Sequence, residues 1–112
     1  MANLLEKKNL VKKKQEYNRV FKAGIKYKCK YFVIFKCLNI DSPARLGLVV
    51  SRKNGRAFLR NRFKRVVRAF FRINIEKYSQ NYDYVYVAKC DLRDIDSRFF
   101  WIDLENSLKH IK

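Results

Sequence analysis

Residues 55–68 read GRAFLRNRFKRVVR, and this segment has two different faces when it is laid on a 3.6-residue period. The apolar side chains gather on one side: Leu59, Phe63, Val66, Val67 and Phe70. The basic side chains fan around the other side: Arg60, Arg62, Lys64, Arg65, Arg68 and Arg72. The pattern predicts a helix that buries the first set and offers the second to a polyanion.

The charge around this helix has one sign only. From Ser42 to Ile75 there are ten Lys or Arg and no Asp or Glu. A solvated helix face is the plain alternative, but such faces usually mix signs, because like charges four residues apart repel each other. Arg also outnumbers Lys six to one from Arg56 to Arg72, which favours bidentate contacts with phosphate. Nucleic acid is therefore the expected partner.

The composition of the whole chain agrees with this interpretation. Its 112 residues are 48% hydrophobic, which suits one domain, 1–112, with one modest core. The net charge is +17, and residues 1–75 hold 21 basic and 3 acidic side chains against 6 and 7 in residues 76–112. The nucleic-acid-binding surface is thus expected in the first two thirds. Residues 1–13 form a basic arm that we expect to be flexible without nucleic acid.

Several elements can be placed from pattern. A helix is predicted from about Lys14 to Ala23, with Gly24 as a left-handed cap. Residues 31–38 are predicted as a strand with one face made of Tyr31, Val33, Phe35 and Cys37.

The second half of the chain shows further elements. Residues 46–50 are predicted as a central strand covered on both faces. After the basic helix we expect a turn at 81–83, a strand at 84–88 and a last helix capped by Asp94, Asp96 or Ser97. Turn residues at 41–43 separate the strand at 31–38 from the strand at 46–50. The sum is an α+β domain with a single sheet and helices packed on it.

The basic segment resembles the signature helix of the bacterial ribonuclease P protein family through Arg60-Asn61-Arg62 and the KRVVR run at 64–68. The similarity extends to residues 16–24, 45–53 and 83–89. It implies an αβββαβα order with a left-handed βαβ crossover, a ribosomal-protein-S5-domain-2-like fold. That order requires one more strand, which we place around residues 25–30, divided from the next strand by a bend or bulge.

The resemblance also implies two RNA-binding surfaces. Residues expected to bind the catalytic RNA subunit are Arg56, Arg60, Asn61, Arg62, Lys64, Arg65 and Arg68. Residues expected to bind the single-stranded 5′ leader of precursor tRNA are Tyr17, Phe21 and Phe35, with Arg52 and Lys53 beside them. The alternative for the three aromatic residues is ordinary core packing, because aromatic stripes at helical spacing usually bury.

The sequence contains little that could catalyse hydrolysis. It has one histidine and no His–Asp or Cys–His constellation, and Cys29, Cys37 and Cys90 show no metal-ligand spacing. We interpret these cysteines as reduced. The resemblance implies that the RNA subunit removes the 5′ leader with Mg2+ that it mainly holds itself, and that the protein binds no metal alone. The protein would lower the Mg2+ requirement and favour precursor over product.

The chain has no apolar run long enough to span a membrane, so a cytoplasmic protein without membrane or small-molecule partners is expected. Two other classes are compatible with a small basic chain. A ribosomal protein would need no leader-binding cleft, and a DNA-binding regulator would need a recognition helix. Discrimination between leader-bearing and mature tRNA would separate the ribonuclease P family from both.

Overall fold

The computed structural model describes residues 7–40 and 42–111. Three helices and four strands follow one another as α1 Lys14–Ala23, β1 Ile25–Lys28, β2 Phe32–Leu38, β3 Arg45–Val49, α2 Ala57–Ile73, β4 Tyr82–Ala88 and α3 Ser97–Ile111. This order confirms the expected αβββαβα arrangement, including the extra strand before the bend. Within the described ranges, no helix is both long and apolar enough to cross a bilayer.

The four strands form one mixed sheet in the order β1-β2-β4-β3. β1 and β2 form an antiparallel hairpin, β2 and β4 are antiparallel, and β3 and β4 are parallel. The parallel pair is joined through α2, as a βαβ unit requires. The hand of this crossover stays a prediction.

The prediction of a central strand at residues 46–50 is wrong, because β3 lies at the edge of the sheet. Its two faces are nevertheless covered, and its outer edge meets the segment that precedes α1. Leu10 forms a parallel bridge with Leu46, and the Val11 N–H donates to the Leu46 carbonyl at 2.9 Å. This backbone pairing protects an edge whose apolar sequence resembles that of an interior strand.

The same pairing places part of the basic arm. Residues Lys7–Asn9 form one 3₁₀ turn, and the Val11 side chain is buried. The second half of the segment 1–13 thus packs on the sheet. Residues 1–6 lie outside the described residues, and the flexibility of the arm without RNA stays a prediction.

The main core lies between one face of the sheet and the helices α2 and α3. Phe32, Ile34, Leu46, Tyr84 and Tyr86 come from the strands, and they meet Phe63, Val67, Phe70 and Phe71 of α2 and Phe100, Leu104, Leu108 and Ile111 of α3. The apolar stripe predicted for the basic helix is therefore buried at its centre, with Leu59 and Val66 half-buried at its margins. The opposite side of α2 is left to solvent.

The other face of the sheet carries α1 over a much smaller cluster. Val20 is fully buried against Cys37 and Val85. Gly24 follows α1 with φ −80° and ψ 158°, so the predicted left-handed cap is wrong. A Cβ on Gly24 would stand 2.5 Å from the Val20 carbonyl oxygen and 3.1 Å from the Lys36 carbonyl oxygen, so this glycine permits close approach between backbones.

Tyr31 does not share a face with Val33, Phe35 and Cys37, contrary to expectation. It lies in the bend before β2, where it is buried and its ring meets Phe100 edge-on at 6.2 Å. The bend takes this residue out of the alternation of the pleat. Asp103 of α3 holds the bend by accepting from the backbone N–H groups of Lys30 and Tyr31 at 3.3 and 3.0 Å.

The turn predicted at residues 81–83 ends earlier than expected. Asn81 has a positive φ of 67°, but β4 begins at Tyr82, so Asp83 lies inside a strand and is fully buried. Of the turn predicted at 41–43, Asp41 lies outside the described residues, and the Ser42 N–H donates to the Asn39 side chain. At the start of α3 the expected cap is Asp96, which accepts from the Arg98 N–H at 2.9 Å.

Candidate nucleic-acid interface

The outer face of α2 presents most of the residues expected to bind the catalytic RNA. Exposed positions on or just before this helix are Arg56, Asn61, Arg62, Arg65 and Arg68, whereas Arg60 and Lys64 are half-buried. Gly55, at φ 145°, turns the chain into the helix with a backbone conformation that side-chain-bearing residues rarely adopt. The arrangement is a one-sided row of cations that can bind phosphates.

One member of this row also has a contact within the protein. The Arg62 guanidinium donates to the Ser97 hydroxyl at the start of α3. Arg62 therefore links the two helices that cover the main core. Arg65, on a neighbouring exposed position, makes no hydrogen bond or ion pair within the described part of the chain.

A groove on the other face of the sheet runs between α1 and the end of β3. Its lining consists of Tyr17 and Phe21 from α1, residues 48–50 from β3 and its end, and three cations, Lys12, Lys14 and Lys64. Its cavity volume is about 450 Å3. Aromatic rings among ammonium groups are the combination that binds single-stranded RNA, because bases stack while phosphates are neutralised.

Tyr17 is held over the sheet by its hydroxyl group. This group donates to the Val11 carbonyl at 3.2 Å and accepts from the Leu48 N–H at 3.3 Å. The ring lies so close to Gly47 that a Cβ there would be 2.8 Å from Tyr17 Cε1. The absence of a side chain at Gly47 thus creates the space for the ring.

The three aromatic residues expected to bind the leader are adjacent. The Tyr17 and Phe21 ring centroids are 6.4 Å apart, and Phe21 meets Phe35 edge-on at 5.0 Å. Phe21 is 39% exposed, while Tyr17 and Phe35 are half-buried. Val20, rather than the aromatic residues, is the fully buried anchor of α1, so the core-packing alternative does not describe Phe21.

The basic residues expected beside this site are placed differently. Arg52 and Lys53 are exposed on a 3₁₀ turn, Arg52–Asn54, that follows β3. Arg52 lines a separate concavity with Gly55, Arg56, Asp91 and Arg93. In the groove itself the cation from the second half of the chain is Lys64, which the sequence had placed with the catalytic-RNA set. Lys12 and Lys14 were missed, although they precede Tyr17 by only five and three residues, on a segment whose basic character is visible in the sequence.

Two other arginines, Arg19 and Arg45, form ion pairs within the protein. Arg45 donates to both carboxylate oxygens of Asp83 at 2.7 Å and to Glu16 at 2.9 Å, and Arg19 donates to Asp83 at 2.6 Å. Asn39 completes the partners of Asp83 at 2.8 Å. The hydrogen bonds from Arg45 to Asp83 raise the pKa of Arg45 despite its partial burial. Arg19 also donates to the Leu38 carbonyl of β2 at 2.6 Å, so the network ties α1 to β2, β3 and β4 and fixes the wall of the groove.

The three cysteines are free thiols, with Cys37 buried and Cys29 and Cys90 half-buried. No cluster of three or more His, Cys, Asp or Glu side chains suited to a metal occurs in residues 7–40 and 42–111. That the protein holds no metal ion by itself stays a prediction.

The sequence and the fold were compared with known proteins. The family model described as Ribonuclease P matches residues 5–112. The ribonuclease P protein component of Fusobacterium nucleatum is 36% identical over 103 residues, which are 92% of this chain and 93% of the relative. That of Bacillus pumilus is 36% identical over 111 residues, or 96% and 87% of the two chains.

Solved structures agree with these matches. The ribonuclease P protein of Staphylococcus aureus superposes with a TM-score of 0.82 at 32% identity, covering 90% of this chain and 93% of that one. The protein from Thermotoga maritima gives 0.80 at 32% identity, with 92% and 97% covered. Sequence, fold and the basic helix thus lead to one conclusion: this chain belongs to the ribonuclease P protein family, whose members are the protein component of ribonuclease P.

Proposed function

We propose that this protein, as the protein subunit of ribonuclease P, binds the catalytic RNA through α2 and the 5′ leader of precursor tRNA through the groove beside α1. The proposal that the groove binds the leader rests on the location of the exposed Phe21 ring. This ring lies next to Tyr17 and among Lys12, Lys14 and Lys64. Lys64 belongs to α2 and also lines the groove. The two RNA-binding surfaces therefore meet at this residue.

The lining of the groove supports a positional role. It consists of ammonium groups, aromatic rings and aliphatic surface, with no carboxylate or imidazole among its residues. We assign hydrolysis to the RNA subunit, with Mg2+ held mainly by that RNA and none by the protein alone. The protein contributes by neutralising phosphates and by fixing the leader, which lowers the Mg2+ needed for activity and favours precursor over mature tRNA.

The first test is cleavage of a precursor tRNA by a bacterial ribonuclease P RNA at low Mg2+, with and without this protein. We expect release of the leader only when both components are present, and no cleavage by the protein alone. Binding of the RNA by a folded protein without activation would contradict the proposal. Cleavage by the protein alone would contradict the assignment of hydrolysis to the RNA.

The second test concerns the groove. Phe21→Ala should weaken binding of precursor tRNA by the assembled enzyme by about 1–3 kcal/mol, the value of one stacked base, and leave the affinity for mature tRNA unchanged. Phe99→Ala is the matched control, because Phe99 is 51% exposed on α3 and is not part of the groove lining. Equal effects of the two variants, or an effect on mature tRNA as well, would overturn the role of the groove.

A further inference from the structure

Two lysines on β1 lie on the same face of the sheet as the groove. Lys26 is paired with Phe35 across the β1–β2 ladder, and Lys28 is paired with Val33. Side chains directly opposite one another in such a ladder emerge on the same face. Phe35 is in contact with Phe21, so this is the face covered by α1. Both lysines are exposed.

A continuous row of side chains leads from the groove to these lysines. The register aligns Val49 with Val87, Val87 with Val33, and Val33 with Lys28 across all four strands. The three valines are half-buried, so α1 leaves part of this row open. At about 4.8 Å between strands the row is about 14 Å long, a distance that about four stacked nucleotides cover at about 3.4 Å each.

Aromatic contacts connect Lys26 to the same groove. Phe21 meets Phe35 at 5.0 Å, and the Lys26 ammonium lies 5.8 Å from the centre of the Phe35 ring. The ammonium group is thus turned inward over the sheet. Lys30, two residues beyond Lys28, is turned to the other side, where its ammonium lies 5.3 Å from the Tyr31 ring and 5.6 Å from the Phe99 ring.

Lysines on an edge strand commonly prevent pairing with other chains, and that role needs no ligand. That role does not require the Lys26 ammonium to point inward over the sheet, however. Nor does it explain why a row of half-buried valines leads to Lys28. No carboxylate in the described part of the chain forms an ion pair with Lys26 or Lys28. Their charge remains available to phosphates.

We propose that Lys26 and Lys28 form a distal part of the leader site, which binds the phosphates of leader nucleotides beyond those held at Tyr17 and Phe21. This inference rests on the proposed function. The end of the groove at Lys64 lies on the helix that binds the catalytic RNA, so nucleotides next to the cleavage site belong there. Nucleotides farther toward the 5′ end of the leader cross the valine row and reach the β1 edge. The protein therefore distinguishes long leaders from short ones.

The experiment measures binding of precursor tRNAs with leaders of about two, about five and about ten nucleotides to the assembled enzyme. Lys26→Gln/Lys28→Gln is compared with Lys30→Gln/Lys109→Gln, which removes the same charge from the other layer of the molecule. Glutamine keeps the β1 edge polar. We expect the first variant to lose about threefold to tenfold in affinity for the longest leader and nothing for the shortest. Its salt slope should fall by about 0.7 per lost phosphate contact, again only with the longest leader.

Phe21→Ala, measured on the same leaders, tests the groove separately from its distal part. If Phe21→Ala weakens binding while Lys26→Gln/Lys28→Gln behaves like its control at every length, the groove is correct and the distal part is wrong. If Phe21→Ala has no effect at any length, the proposed leader site itself fails. A loss that is equal for all three leaders would also overturn the distal assignment, because it would reflect net charge alone.

Discussion

Arg45 and Asp83 are direct partners across the parallel β3–β4 ladder, and the guanidinium donates to both carboxylate oxygens at 2.7 Å. Asp83 is fully buried, and Arg19 and Asn39 use its remaining hydrogen-bonding capacity. A buried carboxylate with this set of donors has its hydrogen-bonding capacity satisfied in the folded state. Each donor in turn loses an acceptor if the carboxylate is removed. The pair therefore joins the parallel strands β3 and β4 to the helix that carries Tyr17 and Phe21.

Removal of the carboxylate should be strongly destabilising. Asp83→Ala removes the buried carboxylate that Arg19 and Arg45 share, and breaking such a pair costs about 3–5 kcal/mol of unfolding free energy. Urea unfolding of the purified protein measures the loss. Asp94→Ala is the control, because Asp94 is exposed and accepts no side-chain hydrogen bond in the described structure. Similar midpoints for the two variants would contradict a structural role of the Asp83 network.

Acid should weaken the fold partly through Glu16. Burial disfavours its ionised form, but the backbone N–H of Lys13 and the Arg45 guanidinium outweigh this effect, so the pKa of Glu16 lies below its ordinary 4.5. A lowered pKa stabilises the folded state above the pKa of the unfolded chain, and this stabilisation is lost as the pH falls. We expect the unfolding free energy of the protein to decrease below about pH 4.5, and that of the Glu16→Gln variant to decrease less steeply. Parallel pH profiles for the two proteins would refute the contribution.

Gly47→Ala should damage the proposed leader site through Tyr17. The added Cβ would stand 2.8 Å from Tyr17 Cε1 and 3.0 Å from Val85 Cγ2, and overpacking of this kind costs about 1–3 kcal/mol. Because the Tyr17 ring must move, we expect the preference for precursor over mature tRNA to fall. Leu108→Ala, a core change on α3, is a control that lowers stability without touching the groove. An equal loss of preference in both variants would show that stability alone is responsible.

Arg62 and Arg65 should differ although both are exposed arginines on α2. Arg65→Ala is expected to make the dependence of catalytic-RNA affinity on salt shallower by about one charge and to leave the melting temperature unchanged. Arg62→Ala should also lower the melting temperature, since it loses the contact with Ser97. Ser97→Ala should reproduce only the thermal effect. If Ser97→Ala left the melting temperature unchanged, the contact would carry no stability.

Cys29 and Cys90 should react slowly with iodoacetamide in the folded protein. Burial, together with the Asp103 charge, raises the pKa of Cys29 to about 11, and burial also raises the pKa of Cys90. Because the thiolate is the reacting form, we expect alkylation of Cys29 at neutral pH to be about a hundredfold slower than in the urea-unfolded protein, and alkylation of Cys90 to be slowed as well. Mass spectrometry of the modified peptides gives both rates. Comparable rates in the folded and unfolded protein would show that these thiols are neither buried nor protonated as described.

Much of this protein can be derived from local pattern. α1 was predicted at its observed bounds and α2 by its stripe, because a helical period needs only neighbours three and four residues apart. The aromatic pair Tyr17 and Phe21 follows from the same spacing. The cationic face of α2 is equally local, and it indicates a polyanion without any knowledge of the sheet.

Relations between distant segments depended on the tertiary structure. β4 inserts between β2 and β3, which places Asp83 beside Arg45 and makes this arginine part of the network that holds the fold together. The same packing brings Lys64 of α2 to the groove of α1, leaves Arg52 outside it, and places Lys26 and Lys28 at the end of the valine row. Strand pairing and register are set by contacts over tens of residues, where many alternatives have similar local patterns. Local chemistry therefore indicates a polyanionic partner, whereas only the folded chain decided which side chains stand together on the surfaces proposed to bind it.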